Sequence, residues 1–328
     1  MSMERTRFVA RKLLQYAIVV WIIASLNFLL PRMMPGNPLV YLAGEDVGLM
    51  TSTQKAAIMD EHGLNDPLLV QYVDYVGQLL QGDLGFSYQQ KRPVTEVLAE
   101  RLPWTLLLAG ANMVISTIIG VLAGSLSAWR RGTKTDMNMM IFFIFLTSMP
   151  SFWIGMMLVS VFAGKLGWFP VYGAETAWAN YEGWARVQDI AYHLALPLTA
   201  TLIVSVTTLY MTMRSSMIQV LQEDYMLLAK AKGLREATVK YRYAMRNALL
   251  PTATVFMLNI GFMFGGAAVI ETVFSYPGIG KLMVEAVLSR DYPLIQSSFL
   301  MLTFSVLAAN IISDMLYPLL DPRVGRPS

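Results

Sequence analysis

The sequence predicts an all-α polytopic membrane protein with six transmembrane helices and both termini on the cytoplasmic side. Three observations carry this. Of the 328 residues, 55% are hydrophobic and 14% charged, where an ordinary soluble domain carries roughly 25% charged residues. Apolar stretches of bilayer-crossing length recur along the chain. Lys and Arg gather on alternate connections between those stretches.

The stretches fall at about 13–31, 104–128, 138–163, 191–213, 250–274 and 294–320. Each reaches the roughly 20 residues that a helix needs to cross about 30 Å of hydrocarbon. The first four hold no Asp, Glu, Lys or Arg. Arg5, Arg7, Arg11 and Lys12 before the first give it the look of a secretory signal. Its uncharged run is too long for one, however, and Pro31-Arg-Met-Met-Pro35 is no small-residue cleavage site. It is expected to remain as the first transmembrane helix.

With the N-terminus inside, the inner segments hold Arg5, Arg7, Arg11, Lys12, Arg130, Arg131, Lys134 and Arg214. They also hold Lys230, Lys232, Arg235, Lys240, Arg242, Arg246, Arg323 and Arg326. That is sixteen of the 25 basic residues on short connections, the asymmetry that sets topology.

The outer segment 35–103 is long enough for structure of its own. Thr51-Ser-Thr-Gln54 has the form of a capping box, opening a helix that Gly63 would close. Asp66-Pro67 reads as an N-cap with Pro at the first helical position. Leu69, Tyr72, Val73, Val76 and Leu80 then repeat at helical spacing until Gly82. Arg92-Pro93 starts a third helix, with Val94, Val97, Leu98 and Leu102 leading into the second span. This makes 35–103 a helical subdomain, followed by a core bundle at 104–320 and a tail at 321–328. Its nine acids against four bases suit a partner surface or a solvated face equally.

Within the spans, Gly120…Gly124 and Gly261…Gly265 let helix backbones approach closely. Pro150 and Pro197 should kink spans three and four.

No catalytic constellation is visible. The chain has no Cys and two His residues, His62 and His193, so thiolate chemistry is excluded and no His pair stands at metal-ligand spacing. Ser275-Tyr-Pro-Gly-Ile-Gly-Lys281 lacks the first Gly of a phosphate loop, and Leu282 stands where Ser or Thr should hold Mg²⁺. The 23 Met residues, with Met137, Met139, Met140, Met211 and Met213 nearest to a cluster, are expected as gap-fillers rather than soft-metal ligands. Glu271 and Asp314 sit near the ends of their spans, where a carboxylate is far less costly than at the centre. They are read as interfacial groups that bond neighbouring loops. Trp168, Trp178 and Trp184 read as an interfacial aromatic belt. Neither a cofactor nor a nucleic-acid partner is indicated.

The most informative segment is 221–233, between two spans on the inner side. Leu221, Tyr225 and Leu228 fall on one helical face with Ala229 and Lys232 beside them. Glu223 and Asp224 lie toward its N-terminus and Lys230 and Lys232 toward its C-terminus, which complements the helix dipole. Gly233 is a natural stop. Such a face suits either a groove on a soluble protein or the anionic membrane surface.

Motifs along nearly the whole chain resemble the permease subunits of the dipeptide, oligopeptide and nickel branch of ABC importers. They are Pro35-Gly-Asn-Pro38, Gly82-Asp-Leu-Gly-Phe-Ser87 with Arg92-Pro-Val94, Leu102-Pro-Trp-Thr-Leu106, Tyr192-His-Leu-Ala-Leu-Pro197, Glu271-Thr-Val-Phe-Ser-Tyr-Pro-Gly-Ile-Gly280 and Leu320-Asp-Pro-Arg-Val324. The resemblance implies a type I permease whose inner stretch near 214–250 is the EAA loop, the part that docks onto an ATPase. Counting back from Gly233 puts Leu227, Leu228 and Ala229 at the Glu-Ala-Ala positions, so the usual Glu is missing. Asp224, Tyr225 and Lys232 become the candidates for the main polar contact.

The resemblance further implies a second, homologous permease, two ATP-binding cassette subunits that hydrolyse the ATP, and an extracytoplasmic substrate-binding protein, all at a bacterial or archaeal inner membrane. Di- or oligopeptides are the leading cargo, with nickel or metallophore complexes and short oligosaccharides as alternatives. A secondary transporter is the alternative of another class, but the sequence lacks the interrupted helices in matching positions that such folds show.

Overall fold

A computed structural model describes residues 2–33, 39, 44–61, 66–87, 89–262, 268–289 and 291–320; within these, side chains are described except at 2–13, 30–32, 44–46, 58, 60, 61, 258–262 and 313–320. Among the described residues the chain is all-α apart from one two-stranded hairpin. By contacts it divides into two compact units: Met1–Pro103 with Gly278–Leu307, and Trp104–Pro277 with Ala308–Ser328.

In the first unit, α1 (Ser2–Met33) is followed by a short 3₁₀ turn (Gly44–Leu49), then α2 (Ser52–Glu61) and α3 (Leu68–Leu80). The capping box is present: the Thr51 N–H donates to Gln54 Oε1 at 2.9 Å and the Gln54 N–H to Thr51 Oγ1 at 3.4 Å. Gly63, the expected stop, lies outside the described residues. The start of α3 differs by one residue. Pro67 itself is the N-cap: its ψ of 141° is not helical, and its carbonyl accepts the first bonds of the helix, from Val70 and Gln71. Gly82 ends this stretch as expected, with a φ of +79° that a side chain would oppose.

α3 leans on α1 through Tyr72 and Tyr75, whose rings meet Phe28 and whose hydroxyls meet Ser25 and Asn27. Asn27 also brackets α12 (Tyr292–Leu320) with Gln296, each amide side chain donating to the other's backbone carbonyl at 2.9 and 2.7 Å.

The Gly82–Ser87 motif contributes a hairpin that periodicity does not reveal. β1 (Phe86–Ser87) pairs antiparallel with β2 (Arg92–Pro93). Asp83 holds the Gly85 N–H, Ser297 donates to the Leu84 carbonyl, and the buried Ser87 hydroxyl donates to Asp291. The expected third helix does start at Arg92-Pro93. It becomes α4 (Val94–Trp129), whose Val94, Val97 and Leu98 are fully buried against Ile279, Leu282, Ala286 and Leu294.

In the second unit, α4 is followed by α5 (Lys134–Thr147), α6 (Ser151–Leu158) and α7 (Gly183–Leu221). Further on come α8 (Asp224–Ala231), α9 (Arg246–Phe262) and α10 (Ala268–Val273). α11 (Ile279–Leu288) belongs with the first unit.

Among the described residues, three helices are long and apolar enough to cross a membrane: Val94–Trp129, Gly183–Leu221 and Tyr292–Ile312. The pair α5 and Ser151–Lys165 qualifies together but bends by 92°. Pro150 does more than kink span three. It is the N-cap of a new helix, because it offers no N–H to continue the α5 ladder. α7, by contrast, runs through Pro197 as one helix. Within α1 the apolar stretch is Leu14–Leu29, and part of the fifth expected span, 263–267, lies outside the described residues together with Gly265.

Candidate coupling site

The site is built on a close helix crossing. A Cβ on Gly120 would stand 2.6 Å from Leu209 Cβ, and one on Gly124 2.7 Å from the Tyr210 carbonyl oxygen and 2.8 Å from Met213 Cβ. The first GxxxG is therefore a contact within the chain, α4 on α7, where small residues permit backbone approach. Gly261…Gly265 falls on side chains outside the described residues.

Next to this crossing lies a buried polar cluster. Asp136, in the first turn of α5, is 5% exposed. Its carboxylate accepts from Arg214 Nε at 2.8 Å and Arg214 Nη2 at 2.8 Å, from Ser127 Oγ at 2.5 Å, and from the Gly132 N–H at 3.2 Å. Ser127 also meets the Tyr210 hydroxyl at 2.7 Å, and Tyr210 stacks on Phe143 with centroids 4.2 Å apart. A two-pronged guanidinium–carboxylate pair fixes orientation as well as distance. Sequence reading counted Arg214 only as a topological charge. Its signal was present as one acid and one base, each just outside a span on the same expected side.

The expected docking segment sits directly on this platform. Met226 and Ala229 of α8 are buried with Met213 and Met217 of α7, Val121 and Ala128 of α4, and Val239, Ala244 and Ala248. Trp129 Nε1 donates to Glu236 Oε1 at 2.7 Å, tying the end of α4 to the stretch beyond the helix. That stretch continues as a π-helical turn, Val239–Met245.

Two placements differ from the sequence reading. Leu221 does not share a helix with Tyr225 and Leu228. It closes α7, the chain turns at Gln222 and Glu223, and Glu223 becomes the N-cap of α8. Ala229 does not face outward, since it lies on the side held by Met213 and Met217. The outward face carries Asp224, Tyr225, Leu227, Leu228 and Lys232, with Leu227 73% and Leu228 63% exposed. The outer pair follows from the 100° turn per residue: with positions 226 and 229 inward, 227 and 228 must point away. Asp224 stands in the first turn and Lys230 in the last, and Gly233 stops the segment with φ +68°. Of the methionines considered as ligands, Met213 is fully buried core and Met137 is 54% exposed.

Thr105 lies 22 residues before Ser127 on α4, about 33 Å at 1.5 Å per residue. There two sequence motifs meet. Thr105 Oγ1 donates to Glu271 Oε1 at 2.8 Å, and Trp104 packs edge-on against Tyr276. Glu271 is fully buried, not interfacial in the sense of being wet, and the bond from Thr105 ties it to a span. Asp314 is among the side chains outside the described set. Gly173 donates its N–H to the Phe274 carbonyl, which brings the 166–182 connection, with exposed Trp178, to the same end.

Comparison with known proteins identifies the class. Residues 120–326 match the family described as binding-protein-dependent transport system inner membrane component, and residues 5–109 match the N-terminal component of the same systems. The chain belongs to this family: it is a multi-pass membrane permease of an ABC importer, a transport subunit that works with ATPase and substrate-binding components. Among curated relatives, it is 34% identical over 318 residues to the oligopeptide transport system permease protein AppB of Bacillus subtilis, covering 97% of this chain and 98% of that one. It is 36% identical to the di/tripeptide transport system permease protein DppB of Pseudomonas aeruginosa, with the same coverage. The glutathione transport system permease protein GsiC of Escherichia coli is 34% identical, again over 97% of this chain and 98% of the relative.

Proposed function

We propose that this chain imports di- or oligopeptides as one permease of a heteromeric pair, driven through α8 by two ATP-binding cassette subunits that hydrolyse the ATP. The observation that carries the docking role is the pair Leu227 and Leu228. Both stand exposed beside Tyr225 on a short helix whose other face is locked into the α4–α7 platform. Asp224 and Lys232 flank them as polar contacts, and Glu223 and Gly233 bound the helix. Leu227 stands at the family's usual Glu and Leu228 at the Ala after it, so the contact rests on apolar burial with a charged rim.

The peptide reading is supported by the names of the relatives, which carry oligopeptides, di- and tripeptides and glutathione. We place the chain in a bacterial or archaeal inner membrane, with six spans and with N- and C-termini inside. The basic turn at 130–134 and the basic segment at 224–246 lie together, and the 104–105 and 271–276 motifs lie together. We place segment 35–103 outside, where the substrate-binding protein docks.

The motor acts only through differential affinity: the ATP-bound cassettes must grip one arrangement of the two permeases more tightly than the other. The test is uptake into proteoliposomes holding the full complex, its binding protein and internal ATP, with short peptides, oligosaccharides and nickel compared. ATP-dependent uptake of peptides alone is expected. The paired change Leu227→Asp, Leu228→Asp should lower uptake at least tenfold, the effect of losing about 1.4 kcal/mol of docking, and should reduce co-purification of the cassette subunits. Uptake without ATP overturns the motor reading, and uptake of nickel or sugar in place of peptide overturns the cargo.

A further inference from the structure

We infer that Asp136 and Arg214 are positioning residues for energy coupling: their buried ion pair makes α8 and the adjoining ends of α4, α5 and α7 move as one body. The inference rests on the docking role proposed for α8.

The argument starts from what holds α8. Its inward residues Met226 and Ala229 are seated on Met213 and Met217 of α7 and on Ala128 of α4. Methionine packing adapts to a shifted neighbour, so by itself it transmits a push poorly. Arg214 follows Met213 directly on α7, and Ser127 precedes Ala128 directly on α4. The residues that cradle α8 thus alternate with those that form the polar cluster. Asp136 gathers both strands of that arrangement. Ser127 reports from α4, the Gly132 N–H from the α4–α5 turn, and both guanidinium prongs from α7.

The cluster also reaches deeper along the helices, because Tyr210 meets Ser127 and stacks on Phe143 of α5. A push that α8 delivers to α7 and α4 is therefore shared among α4, α5 and α7 through directional bonds at fixed angles. Loss of the pair frees α5 from α7 and leaves the adaptable methionines as the remaining link. Part of each stroke is then absorbed locally while ATP is still hydrolysed.

The experiment uses the assembled complex in proteoliposomes and reads solute molecules imported per ATP hydrolysed. Arg214→Lys keeps the charge and removes the second prong; Asp136→Asn keeps the shape and removes the charge. Both should assemble with the cassette subunits, which bind the opposite face of α8. Each should lower the import-to-hydrolysis ratio by about two- to thirtyfold, the range seen when residues between coupled sites are changed. Tyr210→Phe, which keeps the stacking ring, should lower it least.

A second readout does not depend on transport. The chain has no Cys, so single cysteines placed at the exposed Arg131 and Lys230 can be spin-labelled on the purified chain without background before the complex is assembled. The label separation should be narrow in every nucleotide state of the wild type and broadened in Arg214→Lys. An unchanged ratio together with an unchanged separation in an assembled Arg214→Lys complex overturns the inference. If the wild type itself shows no ATP-driven uptake, the docking reading fails first, and the label separations still decide whether the pair holds α8 rigid. Should Asp136→Asn fail to assemble, Arg214→Lys and the label separations carry the decision.

Discussion

The two ends of α4 within the Trp104–Pro277 unit are held by different chemistry. Near Trp129 a full ion pair, Asp136 with Arg214, is enclosed by hydroxyl and backbone donors, and a short helix stands on methionines beside it. Near Trp104 a buried carboxylate, Glu271, takes a hydrogen bond from a threonine, and aromatic rings fill the space around it. The first arrangement resists sliding, because a two-pronged charged contact loses most of its energy on small rotations. The second fills volume and tolerates modest rearrangement around a neutral donor. The docking role proposed for α8 would place the stiffer arrangement at the end that receives force.

The comparison is broken most severely at the helix crossing that both ends share. Gly124→Val would drive a side chain into the Tyr210 carbonyl and Met213. Overpacking of this kind typically costs about 1–3 kcal/mol, and more where backbone is the obstacle. Little folded protein is expected in detergent, as read by size-exclusion chromatography; a well-folded, active variant would refute the close approach.

At the basic end, Met226→Ala removes the knob that seats α8 and should cost about 2–5 kcal/mol where the site cannot collapse. It should lower the thermal midpoint of the purified complex and weaken cassette binding together. At the opposite end, Glu271→Ala strips the acceptor from Thr105 in a fully buried site, a loss of about 1–3 kcal/mol. Glu271→Gln, which keeps a carbonyl for Thr105, should recover most of it in the same thermal assay.

The smallest effect sharpens the contrast. The Tyr276 hydroxyl is buried with no hydrogen-bond partner among the described residues, so Tyr276→Phe should be neutral or slightly stabilising, within about 0.5 kcal/mol. A marked loss there would mean that this end, too, depends on a directed polar contact.

Much of this was legible in one dimension. Thr51 and Gln54 announced a reciprocal cap, Gly82 and Gly233 announced stops, and Val94, Val97 and Leu98 announced a buried face, because each rests on contacts within a few residues. The motif Gly82–Ser87 was visible as a string but not as a hairpin. Its meaning depends on Asp291 and Ser297, about 200 residues away. Asp224, Tyr225, Leu228 and Lys232 do share the exposed side of this segment, whereas Ala229 is turned inward. A helix of eight residues with leucines on one side and Met and Ala on the other does not say which side is inward.

Composition, span length and the distribution of Lys and Arg are properties of the chain as solvated by lipid and water. They therefore determined by themselves that this is an all-α, multi-pass membrane protein, and local backbone rules determined most helix boundaries. Tertiary structure alone decided that Gly120 and Gly124 meet Leu209, Tyr210 and Met213. It alone decided that Asp136 finds Arg214, and that Thr105 finds Glu271. Those pairings join residues far apart in sequence inside a solvent that gives no preference among apolar faces. Shape and the satisfaction of buried polar groups select them, and both exist only once the helices have packed.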